Sequence, residues 1–189
     1  MLDVIVQGGQ VYSDGRLIPA DLGIKDGKIA VIGDLDASTA QETVDADGLW
    51  VLPGAIDAHF HCRYPARPER EDFHTGTRAA AAGGVTLIME MPISKPGVYN
   101  GEILARRREM ANEDVVVDYA LYSAPGTAKR EDLESAVEEG AIAYKLFMHH
   151  APEGREDEFK GLCVTDDAHM HETLKLVADT GLLCAAHCE

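Results

Sequence analysis

The alternation of strand-like and helix-like segments after residue 50 restricts the fold of this chain more than any other feature. Runs rich in β-branched and other apolar residues lie at 55–61, 85–91, 115–121, 141–148 and 182–187. Segments that favour helix lie between them, at 72–82, 102–111, 129–139 and 167–179. Repeated strand–helix units predict an α/β fold with a parallel sheet and right-handed crossovers, either doubly wound or closed as a barrel.

The first 50 residues follow a different pattern. Short β-prone runs are separated by turn signals such as Ser13-Asp14-Gly15, and they lie at 4–6, 9–12, 22–24 and 28–32. We therefore predict a small β-sandwich segment over residues 1–50, followed by the strand–helix units over 51–189. Residues 151–160 are polar and charged, and we predict that they form a long loop after the fourth of these strands.

Charge and composition exclude several classes of partner. The formal net charge of −16 argues against binding to nucleic acid or to an anionic membrane surface. No apolar run approaches the roughly 18 residues of a membrane span, and the first residues lack the basic region and cleavage site of a signal peptide. The four cysteines show no CxxC spacing, which is typical of reduced thiols and predicts a cytoplasmic protein.

Two histidines end the first strand-like run after residue 50. His59 and His61 lie two residues apart, and Asp57 precedes them. Because side chains alternate along a strand, all three are expected on one face, where two imidazoles can present nitrogen ligands to a metal ion. The alternative is one core histidine and one loop histidine, but the position directly after an apolar strand favours the metal site.

A lysine and a third histidine lie in later strands. Lys145 interrupts the apolar run 141–148, where an unpaired ammonium costs several kcal/mol to bury. It either reaches solvent or a carboxylate, or its amine is neutral and can take up carbon dioxide as a carbamate ligand. His187 ends the fifth strand. Candidate ligands therefore lie near the carboxyl ends of three strands, where barrel enzymes place their active sites.

Four segments together resemble the amidohydrolase superfamily, and within it the branch of dihydroorotase, allantoinase and hydantoinase (dihydropyrimidinase). Residues 53–61 resemble its opening motif, and residues 72–86 its helix into the second strand. Residues 144–148 are similar to the strand of its carbamylated lysine, and residues 187–189 to its His-x-Glu strand. The likeness extends over essentially the whole chain, and the combined spacing makes it specific.

The resemblance implies the N-terminal portion of a (β/α)8 TIM-type barrel of a metal-dependent hydrolase, with a β-sandwich assembled from both chain ends. It implies two divalent metal ions, usually zinc. His59 and His61 would hold one, His187 the other, and carbamylated Lys145 (a carboxylysine) would bridge them. A metal-bridged hydroxide would then open the ring of a small cyclic ureide or imide. The full-length protein is expected to be a cytoplasmic homo-oligomer, a dimer or a tetramer.

Two ligands of the family pattern lie further along the chain than this sequence extends. They are a histidine after the sixth barrel strand and an aspartate after the eighth, which is also the proton shuttle. The sequence ends at Glu189, so the resemblance implies that it contains five of the barrel strands and not the catalytic aspartate. The chain by itself is therefore expected to be inactive.

The identity of the cyclic amide depends on few positions. Arg63 lies two residues after His61, where dihydroorotases use an arginine to hold the substrate carboxylate. The alternative for Arg63 is a surface ion pair with one of the acidic residues Glu69, Glu71 or Asp72. Ser94 stands where dihydroorotases have asparagine, and residues 72–86 look more like allantoinase. The predicted activity is therefore allantoinase-like or dihydroorotase-like, with hydantoinase (dihydropyrimidinase) as the alternative.

Two other classes of protein compete with a hydrolase. A non-catalytic scaffold on the same barrel typically loses metal ligands, whereas the four ligands within this sequence are all present. A doubly wound binding module would have a Gly-rich loop after its first strand, where residues 62–65 provide none.

Overall fold

The computed structural model describes residues 1–188, and Glu189 lies outside the described part. The predicted His-x-Glu segment at 187–189 is therefore described only as far as Cys188. The chain divides into two compact units, the first spanning Met1–Pro53 and the second beginning at Gly54. Within residues 1–188, no helix is long and apolar enough to cross a bilayer.

The first unit contains two small sheets. Its strands are β1 (Leu2–Gln7), β2 (Gln10–Ser13), β3 (Arg16–Pro19), β4 (Asp21–Lys25), β5 (Lys28–Gly33), β6 (Ala40–Asp45) and β7 (Trp50–Val51). One sheet has the order β5-β4-β1-β6 and the other β3-β2-β7. The sequence did not predict β3, which contains Pro19, or β6, which is polar and mostly exposed, because their pairing with β2 and β1 defines them. That a later segment completes this unit stays a prediction.

The second unit alternates strands and helices along the chain. Its elements are β8 (Ala55–Phe60), α1 (Phe73–Ala82), β9 (Val85–Glu90), α2 (Gly101–Asp114), β10 (Asp118–Ser123), α3 (Arg130–Glu138), β11 (Ala143–Phe147), α4 (Glu156–Phe159), α5 (Asp167–Thr180) and β12 (Leu183–His187). In the described part the sheet order is β12-β11-β10-β9-β8, with each neighbouring pair parallel. The order never reverses, so the sheet curls as part of a barrel and is not doubly wound, which confirms the predicted fold class.

Local side-chain chemistry fixes where the helices begin and end. The Asp72 carboxylate accepts the backbone N–H of Thr75 at 2.7 Å, and the Thr75 side chain completes a capping box at the start of α1. The helix ends at Ala82, as the predicted segment 72–82 does, and Gly83 is its C-cap. Helix α5 begins after Asp166, which caps the His169 N–H at 2.9 Å, and ends at the left-handed Gly181.

Strand β11 separates a helix-facing side from an inner side. Tyr144 is fully buried, and its hydroxyl donates to the Leu133 carbonyl of α3 at 2.9 Å. Because neighbouring side chains in a strand point to opposite faces, Lys145 and Phe147 face away from these helices, towards the inside of the curled sheet. The sheet therefore directs Lys145 to the interior.

The structure differs from the prediction at the start of the third strand and in the loop 151–160. Residues 115–117 were assigned to the third strand, but α2 continues to Asp114, Val115 caps it through an N–H bond to Ala111, and β10 begins at Asp118. A run of valines fits a strand by propensity, but packing of Val115 against the cluster of Cys62 and Phe73 places it at the end of a helix. The predicted loop 151–160 contains a short helix, α4.

Close packing between α2 and α3 makes Gly101 intolerant of a side chain. A Cβ at Gly101 would lie 2.4 Å from the Ser135 carbonyl oxygen, which is backbone and cannot rotate away. We expect Gly101→Ala to lower the free energy of unfolding by about 1–3 kcal/mol through overpacking. Urea titration measures this, and Gly83→Ala is the matched control, because its nearest atom would be 3.4 Å away. Equal stability of the two variants would contradict the packing argument.

Candidate active site at the carboxyl ends of the strands

His59 and His61 meet at the end of β8. Their Nε2 atoms are 3.2 Å apart, and the Asp57 carboxylate accepts the His59 backbone N–H at 3.0 Å. Between Asp57 and Phe60, β8 has one residue more than β9, so strict alternation from Asp57 is not kept. An irregularity of this kind re-aims the side chains beside it. The two imidazoles nevertheless present their Nε2 atoms to the same point.

The surroundings of His61 keep its imidazole neutral. Burial lowers the pKa of His61 to about 4, and the charges of Arg63, His59 and Lys145 act in the same direction. The His61 Nδ1 atom is buried without a hydrogen-bond partner. At neutral pH this ring therefore has the unprotonated form that a metal ligand needs.

Lys145 lies buried beside an aromatic ring. Its side chain is almost fully buried, and Nζ lies 4.9 Å from the centre of the Phe147 ring. Burial lowers the pKa of Lys145, partly offset by Cys188 and Cys184. Within residues 1–188 no carboxylate lies at ion-pair distance from Nζ. This environment favours the neutral amine over the alternative of a solvated or paired ammonium.

His187 approaches the same region from β12. It is paired with Phe147 in the register of β11 and β12, and its ring centre lies 5.3 Å from that of Phe147. The centre of the His149 ring lies 5.7 Å from that of His187, although His149 was not among the predicted ligands. Its position, four residues after Lys145 at the carboxyl end of a strand, is the signal that would have found it.

The predicted ligands thus lie in two groups: the pair His59 and His61, and Lys145 with His187, which Phe147 connects. His59 and His61 meet directly, Lys145 is close enough to lower the pKa of His61, and Phe147 contacts both Lys145 and His187. In the described part of the chain, no three side chains among His, Cys, Asp and Glu converge as a metal-binding group. Lys145 would add an oxygen ligand to the histidines only as a carbamate.

The histidine pair fits a metal ion. Two nitrogens bound to one tetrahedral zinc at about 2.0–2.1 Å would be about 3.3–3.4 Å apart, which is close to the separation of the two Nε2 atoms. The neutral His61 ring fits the same role. His59, His61 and a carbamylated Lys145 therefore have the donor chemistry of a zinc site.

Arg63 extends beyond the histidine pair. Its charge contributes to the low pKa of His61 and acts on the Glu71 carboxyl, whose pKa is raised mainly by burial. Among residues 1–188 the Arg63 guanidinium makes no ion pair within 4.0 Å. The surface ion pair considered as the alternative is thus not formed at contact distance.

A buried carboxylate connects the loops around the site. Glu158 of α4 accepts from Arg155 Nε at 3.1 Å and from Arg155 Nη2 at 2.6 Å, and Arg67 lies 3.8 Å away. The Arg155 hydrogen bond is the main cause that lowers the pKa of Glu158, with smaller effects from Arg67 and Lys95. The segment after β11 and the segment after β8 are therefore joined at one carboxylate.

No model of a protein family matches the sequence. Allantoinase from Rubrobacter xylanophilus is 40% identical over 191 residues, which cover 99% of this chain and 40% of that protein. Allantoinase from Bacillus velezensis is 36% identical over 188 residues, with the same coverage. The L-hydantoinase (dihydropyrimidinase) of Arthrobacter aurescens superposes with a TM-score of 0.88 at 30% identity, covering all of this chain and 41% of that one.

The fold and these similarities relate the whole chain to barrels of the allantoinase and hydantoinase type. They confirm the predicted resemblance to this branch of the amidohydrolase superfamily. The chain spans about two fifths of the length of the curated relatives that it matches. The activity, substrate and assembly of the whole protein are therefore inferred below.

We expect Glu158→Gln to lower the free energy of unfolding by about 1–3 kcal/mol at pH 7, because Arg155 loses a charged partner. Since the folded pKa of Glu158 is lowered, its contribution is present above the ordinary value of 4.5 and is lost as pH falls through the folded pKa. The difference from wild type should therefore shrink in urea titrations at decreasing pH. Glu156→Gln, at an exposed position of the same helix, is the control. A difference that is independent of pH would contradict the ion-pair explanation.

Proposed function

We propose that this protein hydrolyses a small cyclic amide, as an allantoinase-like or dihydroorotase-like enzyme that requires divalent metal ions. The observation that carries the proposal is the pair of imidazoles whose Nε2 atoms lie 3.2 Å apart on a barrel related to allantoinases. The similarity to allantoinases favours a cyclic ureide as substrate. The superposition on L-hydantoinase supports hydantoinase as the second candidate.

The metal ions, taken to be zinc, would lower the pKa of a water molecule and polarise the amide carbonyl. His59 and His61 would hold one ion and His187 the other, with Lys145 as carbamate between them. Burial lowers the pKa of both His61 and Lys145, which favours the unprotonated forms that ligation and carbamate formation require. The ligand set is completed, in this proposal, by the histidine and the aspartate of the family pattern. The cytoplasmic location and the homo-oligomer remain predictions.

Lys145→Arg tests the bridging role, because arginine keeps the charge but cannot form the carbamate. In the protein as its gene encodes it, we expect metal content to fall from two zinc ions per chain to one or none. A carbamate signal from labelled bicarbonate in carbon-13 NMR should disappear with it. Lys160→Arg is the control and should leave both unchanged. Retention of two zinc ions by Lys145→Arg would refute the proposed site.

Arg63→Ala tests the class of substrate. A lost contact with a carboxylate costs on the order of 1.5–3 kcal/mol, roughly ten- to a hundredfold in kcat/KM. If Arg63 binds a substrate carboxylate, the loss should occur for dihydroorotate and be much smaller for allantoin and an uncharged hydantoin.

Arg70→Ala, in the same loop, is the control for that comparison. An equal loss on all three substrates would assign Arg63 to the support of the loop. No loss on any of them would remove Arg63 from substrate binding.

A further inference from the structure

A buried ion pair contacts the backbone that follows the histidine pair. Glu90 ends β9 and Arg107 belongs to α2, and each is only 2% exposed. Arg107 Nε donates to Glu90 Oε2 at 2.9 Å, and Arg107 Nη2 donates to Glu90 Oε1. The guanidinium carbon also lies 4.4 Å from the centre of the Phe73 ring. Burying such a pair is often no more stabilising than burying apolar residues of similar volume, so stability alone does not account for it.

The pair also binds the backbone that follows His61. Arg107 Nη2 donates to the Cys62 carbonyl at 3.2 Å, and Arg107 Nη1 donates to the Tyr64 carbonyl. Arg107 thus holds the backbone carbonyls on either side of Arg63. We refer to Glu90 and Arg107 together as the clamp.

The clamped residues directly follow two side chains of the proposed site. Cys62 follows His61, and Tyr64 follows Arg63. Fixing the carbonyls of Cys62 and Tyr64 leaves little freedom for the backbone dihedrals that aim His61 and Arg63. Only a planar guanidinium donates in three directions at once, to a carboxylate and to two carbonyls, and a lysine ammonium lacks that fixed geometry.

We propose that Glu90 and Arg107 are positioning residues for metal binding, which hold the backbone after β8 so that His61 meets His59. This inference rests on the proposed metal site. It adds two residues that touch neither the metal nor the substrate. Groups that orient metal ligands from behind typically change metal affinity ten- to a hundredfold when they are altered. The clamp differs from the usual case because it acts through the backbone and not through the imidazole Nδ1, which has no partner here.

The test is zinc affinity, measured by chelator competition on the protein as its gene encodes it, at a temperature where circular dichroism shows each variant folded. We expect Arg107→Lys to bind zinc about 10- to 100-fold more weakly per folded molecule. The visible spectrum of the cobalt-loaded variant should also change, because the ligand geometry changes. Arg108→Lys is the matched control, since Arg108 lies next in the same helix and binds the Glu139 carboxylate and carbonyl away from the histidines.

Glu90→Gln is the second variant, for the case that Arg107→Lys does not fold. It keeps a side-chain oxygen that can accept from Arg107 but removes the charge that orients Arg107, and we expect a weaker effect in the same direction. Unchanged zinc affinity and an unchanged cobalt spectrum in the folded variants would overturn the inference and leave the proposed function standing. Absence of zinc binding by the wild type would overturn both.

Discussion

Parallel pairing of neighbouring strands is the constraint on which the rest of the second unit depends. Each helix returns the chain to the same end of the sheet, so the residues that follow every strand collect at one edge. The pairing of Phe147 with His187 shows the effect directly, because two side chains 40 positions apart come into ring contact. The histidine pair and Lys145 are brought together in the same way. No local property of their segments requires that they meet.

The second unit buries several ionisable side chains, and the structure accommodates them in two ways. Glu90 and Arg107 bind one another, and backbone carbonyls accept the guanidinium donors that are left. Lys145 and His61 have no such partner, and burial shifts the pKa of each towards its neutral form. The first arrangement holds a backbone in place. The second favours an unprotonated imidazole, which can bind a metal ion, and a neutral amine, which can form a carbamate. Both arrangements involve the same sheet, because β8, β9 and β11 all belong to it.

The loops after the strands form a second level of organisation. Glu158 joins the segment after β11 to Arg67, which follows β8, while Gly97, after β9, donates its N–H to the Asp157 carbonyl at 3.0 Å. These contacts link three loops that the sequence separates by 30 to 90 residues. In a barrel hydrolase the loops at this edge surround the substrate, so their mutual support affects the shape of the site.

The sequence by itself determined the fold class and the candidate ligands. Strand–helix alternation is local, and the HxH pair and Lys145 within an apolar run stand out from their neighbours, so each can be read without the fold. The helix predicted at 72–82 is likewise local, because Asp72 caps its start and Gly83 follows its end. The start of β10 was predicted three residues early, because propensity cannot register how Val115 packs at the end of α2.

Only the tertiary structure decided which residues support the site. Glu90 interrupts an apolar strand much as Lys145 does, yet nothing in the sequence indicates that Arg107 is its partner or that their shared target is the backbone at Cys62. The contact of His149 with His187 also depends on strand register. Such pairings arise from the packing of segments far apart in the chain. Local sequence patterns carry the identity of the chemical groups, whereas distances between them are set by the sheet.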